Sequence, residues 1–225
     1  MDALLERWER TGDRRAIFLD CYARMTRAME RELATDGFVD AEWVEQLLDR
    51  FAHHYFVATE AWERGDDQLV PAPWRLAHTA TTRGTEVATL PLLLVGVNAH
   101  INYDLVLTLV DLFDTEGVGG DPDRLARRKQ DYDHVNRVIA ATADEVQDLV
   151  VERYSPSLDL ADRMLGRLDE WAAVRLLTGW RDGVWRHAVQ VLEADPPGRS
   201  LRVHRRAESC ERRGRRLLLG SRLVP

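Results

Sequence analysis

The segment from Leu90 to Val110 is an apolar stretch broken by Asn98, His100, Asn102 and Asp104. A helix apolar on nearly every side belongs at the centre of a fold. At ~100° per residue, His100 and Asp104 point the same way, with Asp111 near the same line two turns on. An unpaired buried polar group costs about 1–3 kcal/mol, and a charge costs more. The stripe therefore needs partners or a task. This constraint predicts a bundle built around a central apolar helix over about 86–114, with a polar cluster at mid-height.

The rest of the chain follows helical periodicity, and no stretch alternates with hairpin turn chemistry. The expected fold class is all-α, a single-domain helical bundle. Ile17, Cys21, Met25, Ala28 and Met29 share one face of a helix over 14–33. Asp40 is placed to cap a helix over 41–64, with Trp43, Leu47, Phe51, Tyr55, Ala58 and Trp62 as its buried stripe. Pro71 and Pro73 open a short helix carrying Trp74 and His78, and Pro122 opens another that runs to about Tyr154. The stretch 158–194 reads as one or two helices. Asp195-Pro-Pro-Gly198 marks a boundary, which divides the chain into a helical core over 1–195 and a basic C-terminal helix or tail over 196–225.

Charge narrows the partners. The 225 residues carry a net charge of −7, yet the last thirty hold nine arginines against Glu208 and Glu211. The remainder is strongly acidic, which argues against nucleic-acid binding and for a basic tail folded back on its own acidic body. The longest uninterrupted apolar run, Leu90 to Val97, is far shorter than the ~20 residues of a membrane-spanning helix, so no membrane span is expected. No basic segment followed by an apolar one opens the chain, and Cys21 and Cys210 lie far apart, which points to a cytoplasmic protein. Homo-oligomerisation is left open.

His100 and Asp104, four residues apart, could share one divalent metal or act as an acid–base pair. A third metal donor would come from Asp131, which with Asn136 sits at the edge of the inner face of the next helix. Asn98 and Asn102 would hydrogen-bond a substrate or a neighbouring helix. Arg181 shares a face with Trp185, Val189 and Leu192, and a buried arginine demands a carboxylate or an anionic ligand. As structure it pairs with Asp104, Asp111 or Asp131; as function it holds a substrate anion. Trp74 and the other tryptophans line either a ligand pocket or the core. His53 and His54, adjacent on a helix, diverge too far to form a metal pair. Zinc-protease, nucleophile-elbow, phosphate-loop and dinucleotide signatures are missing from the sequence.

The run Leu94-Val-Gly-Val-Asn-Ala-His-Ile-Asn-Tyr-Asp-Leu105 resembles the signature of an uncharacterised, largely bacterial, all-helical family, domain of unknown function 5995. Phe51-Ala to Tyr55-Phe56, Pro73-Trp-Arg75, Asp131-Tyr to Val135-Asn136 and the Arg181 to Trp185 spacing are similar to that family's pattern, over about residues 15–217. The resemblance implies membership and no activity. A looser similarity, confined to His100 and Asp104, runs to helical zinc phospholipases and nucleases; their other zinc histidines have no counterpart here.

Taken together, the residues point to an enzyme acting on a small, partly apolar metabolite through His100 and Asp104, by acid–base or divalent-metal chemistry. Hydrolase, lyase and cyclase all stay open. The competing class is a non-catalytic ligand-binding or scaffold protein whose polar cluster only sets helix register.

Overall fold

Capping and proline positions convert the periodicity into discrete helices. The Asp40 carboxylate accepts from the Trp43 amide at 3.0 Å and starts a 23-residue helix, and Pro122 opens one of 33 residues. The computed structural model describes residues 1–83, 87–154 and 170–220. In chain order the helices are α1 (Asp2–Thr11), α2 (Ala16–Leu33), α3 (Ala41–Glu63), α4 (Ala72–Thr81), α5 (Thr89–Ala99), α6 (Leu105–Glu116), α7 (Pro122–Tyr154), α8 (Glu170–Leu192) and α9 (Pro196–Gly220). There is no strand among the described residues, and the chain is an all-α bundle. The Ser155-Pro-Ser break and the first part of the stretch 158–194 lie outside the described residues.

The central helix is a composite. A π-helical turn, His100–Asp104, joins α5 to α6, so Thr89–Glu116 runs as one 28-residue rod. By length and composition this rod could cross a membrane, yet 67% of its most apolar window is buried inside the bundle. That burial is the habit of a core helix.

The rod links two apolar clusters. Leu92, Leu93, Val95 and Ala99 of α5 pack with Phe18, Tyr55 and Trp74, while Leu105, Leu109 and Phe113 of α6 pack with Trp43, Tyr132 and Trp185. The π turn sits where one cluster gives way to the other. Asp111 departs from expectation, being exposed and ion-paired with Arg50. Mid-rod no side chain is exposed, Val97 and Tyr103 being partly buried; toward its C-terminal end the face carrying Leu107, Asp111 and Asp114 opens to solvent.

The basic C-terminal segment forms α9, which Asp195 starts by accepting from the Gly198 amide at 3.0 Å. It lies against α4, α5 and α8. Arg199 reaches Asp114 at 2.6 Å, and Gly214 sits so close to Leu76 and Val95 that a Cβ there would meet them at 2.8 and 3.2 Å.

Candidate functional site

Polar groups in the middle of an apolar rod are kept only where each finds a partner. The π turn divides them into two sets. His100 and Asp104 face α2, α3 and α4; Asn98 and Asn102 face α9. Such turns are rare and recur at functional sites, because the wider i→i+5 path frees backbone groups and re-aims side chains.

His100 and Asp104 are 4% and 1% exposed. His100 Nδ1 lies 3.0 Å from Asp104 Oδ2, and Trp74 Nε1–H donates to both Asp104 oxygens at 3.0 and 2.8 Å. With Asp104 ionised, Nδ1 carries the imidazole proton and Nε2 presents a lone pair; with Asp104 protonated the two nitrogens exchange roles. Nε2 is buried without a hydrogen-bond partner among the described residues. The ring is held flat on Phe51, centroids 3.6 Å apart and planes 8° from parallel, with the Tyr22 ring edge-on at 4.5 Å. Burial holds the His100 imidazole well below its ordinary value, helped by the positive Arg181. Burial also lifts the Asp104 carboxyl well above the usual carboxylate range, against the Trp74 N–H, which favours the charged form. The proton affinities of the two groups thus approach one another.

On the other face, the amides tie down the C-terminal helix. Asn98 Nδ2 donates to the Cys210 carbonyl at 2.9 Å, and the Cys210 thiol donates back to the Asn98 carbonyl at 3.3 Å. Asn102 Nδ2 donates to Asn98 Oδ1 at 3.2 Å. Arg206 donates from Nε to the Asn102 carbonyl at 2.7 Å and from Nη2 to Asn102 Oδ1 at 2.8 Å. Two carbonyls at the π turn are therefore met by α9. The expectation that Asn98 and Asn102 contact substrate gives way to its alternative, a bridge between helices.

His100 and Arg181 both line one cavity of about 110 Å³ between α2, α3, α7, α8 and the π turn. Its other walls are chiefly apolar, among them Phe18, Tyr22, Met25, Leu47, Phe51 and Ile139. Arg181 is 2% exposed. Its Nε donates to Asn136 Oδ1, its guanidinium lies 4.7 Å over the Tyr132 ring, and its Nη2 has no hydrogen-bond partner among the described residues. The expected salt bridge from Arg181 to Asp104, Asp111 or Asp131 does not form. Asp104 is held by Trp74 and His100, Asp111 by Arg50, and Asp131 by the amides of Val39 and Asp40, at 2.7 and 3.0 Å.

Those contacts bear on the metal reading as well. Asp131 spends both oxygens on the entrance to α3, and no group of three or more His, Cys, Asp or Glu suited to a metal occurs among the described residues. The set His100, Asp104 and Asp131 does not fit a metal centre. His53 and His54 have ring centroids 6.2 Å apart, with His53 exposed. Trp74 is not a wall of the cavity; it positions Asp104 from behind.

The family of unknown function DUF5995 matches residues 1–220. The chain belongs to that family. No curated protein and no solved structure matches it. For this DUF5995 chain, function must be argued from the site itself.

Some residues of the site were not singled out by sequence reasoning. Tyr22 lay off the stripe assigned to α2, although Phe18, Tyr22 and Met29 recur at helical spacing. Arg206 was one basic residue among many, and only the fold identifies it as the arginine facing an amide.

Proposed function

We propose that the protein is an enzyme acting on a small, partly apolar metabolite, with His100 as general base and Asp104 as the group that orients it. The observation that carries this reading is His100, whose ring lines an apolar cavity and whose Nε2 has no partner among the described residues while Asp104 holds Nδ1. A buried imidazole whose ring lines a cavity and whose Nδ1 is engaged by a carboxylate suits proton abstraction once a ligand reaches Nε2. Its depressed proton affinity keeps it unprotonated at neutral pH but lowers its basicity, so its substrate must carry an activated proton. Trp74, donating to Asp104, supports the orientation from the far side. The free thiols of Cys21 and Cys210 support a reducing, cytoplasmic setting.

The same geometry weighs against the other buried groups as the reacting centre. Cys21 borders the cavity, but burial pushes its thiol up to about 12, so it is a poor source of thiolate. Arg15 Nη1 and His78 Nε2 also lack a partner among the described residues, yet the cleft that Arg15 and His78 line has only about 20 Å³, space for about one water. A non-catalytic ligand-binding protein is the second reading, favoured by the engagement of Asn98 and Asn102 in helix docking.

Untargeted mass spectrometry of a metabolite extract, incubated with purified protein or with His100→Gln, separates the two. The expected result is multiple turnovers of at least one small metabolite by the wild type and none by the folded variant. Turnover that survives His100→Gln, or none with either protein, overturns the proposal.

A further inference from the structure

Arg181 presents a problem of charge. A guanidinium taken out of water costs several kcal/mol unless an anion faces it. Here its contacts are an amide oxygen and an aromatic ring, Asn136 and Tyr132; Asp182 and Asp133 act on it from beyond ion-pair distance, and no ion pair of Arg181 occurs among the described residues. Tyr132 is itself committed, its hydroxyl donating to the Arg181 carbonyl at 2.8 Å. The oxygen of Asn136 fixes Nε and sets the plane of the guanidinium. Nη2, without a partner among the described residues, belongs to a side chain that borders the same cavity as the His100 side chain.

We infer that the ligand of this cavity is a carboxylate on a compact apolar body, with Arg181 as its anchor and Asn136 holding the anchor in plane. The inference rests on reading the cavity as the functional site and adds the chemical class of what enters it. A carboxylate matches a planar guanidinium, and a charge-assisted hydrogen bond in a dry site is about twice as strong as a neutral one. The rest of the lining excludes a highly charged ligand, because Phe18, Met25, Leu47, Phe51 and Ile139 offer no second cation. Size selects as well. An apolar cavity of about 150 Å³ accommodates benzene, so 110 Å³ suits a ligand with fewer heavy atoms, a short-chain carboxylate such as propionate.

Propionate and its neutral isostere propionamide test the assignment by calorimetric titration of the full chain, with inorganic phosphate as the third probe. The wild type is expected to bind propionate about tenfold or more tightly than propionamide, and phosphate not at all. Equal affinity for acid and amide, or preference for phosphate, overturns the inference without any variant. Arg181→Met should abolish the discrimination, weakening propionate far more than propionamide. Asn136→Asp supplies a counter-charge from within; it should raise the melting temperature and weaken propionate. Unchanged propionate binding in either folded variant counts against the anchor. His100→Gln separates this inference from the proposed chemistry, since it should retain acid-over-amide discrimination while losing turnover. Discrimination without turnover in the wild type would leave a carboxylate-binding protein and remove the general base.

Discussion

His78 shows how burial alone sets the behaviour of a titratable side chain. It is 3% exposed, stacked on Trp74 with centroids 5.5 Å apart, and burial lowers its pKa from 6.5 to about 3, with Arg15 acting in the same direction and Asp13 against it. Between those values the unfolded chain holds a proton on this ring that the folded chain refuses. The folded state therefore loses about 1.4 kcal/mol per pH unit from this group as pH falls below 6.5, and none above it. Urea titrations at pH 7 and pH 5 should show a shallower loss for His78→Phe, which keeps a ring between Trp74 and Trp62 and has no proton to gain. An equal loss in both proteins would contradict the assignment. At the site, His100 and Asp104 shift in opposite directions for the same reason, and their effects on acid stability oppose one another.

Among elements, close approaches decide which helix can lie where. Gly96 of α5 passes so near Phe18 of α2 that a Cβ would fall 2.8 Å from the ring and 3.0 Å from the Phe18 Cβ. Alanine gains up to about 1 kcal/mol in helix propensity. Overpacking a tight core costs about 1–3 kcal/mol, and a clash at the root of Phe18 cannot be relieved by swinging the ring. Gly96→Ala should thus lower stability by about 1–2 kcal/mol, measured by urea unfolding; a rise in stability would refute the tight crossing. The π turn depends on α9 in a similar way. Arg206→Met leaves the Asn102 carbonyl and side-chain oxygen without their donor, an expected loss of about 1–3 kcal/mol. Amide exchange over residues 100–106 should accelerate with it, and unchanged exchange there would mean that the turn holds itself.

Over the whole molecule, α9 is a wall of the core. It covers Asn98, Val95 and Leu76, and Arg213 lies 5.3 Å over the Trp180 ring. Ending the chain after Asp195 should abolish the cooperative melt, because apolar area on α4 and α5 returns to water at about 25 cal/mol per Å² and the Asn98–Asn102 pair loses its partners. A truncated chain that melts like the full one would show α9 to be an appendage. The helices themselves were legible because their signals are local: Asp40, Pro71 and Pro122 act within one turn, and the stripe Trp43, Leu47, Phe51 and Tyr55 needs only a period of 3.6. His100 facing Asp104 was equally readable, being a contact four residues long. The destination of each remaining polar group was not. Arg181 meets Asn136 and not an aspartate, Asp131 caps the entrance to α3, and Asn98 and Asn102 grip α9, across separations of 45 to 112 residues. Periodicity states that such a group points inward and must be satisfied; which partner satisfies it depends on how the helices cross. The chain's own order of residues thus determined an all-α bundle with a buried His–Asp pair, and only the packing of helices distant in sequence decided that the histidine of this pair shares a cavity with an arginine that has no ion pair among the described residues.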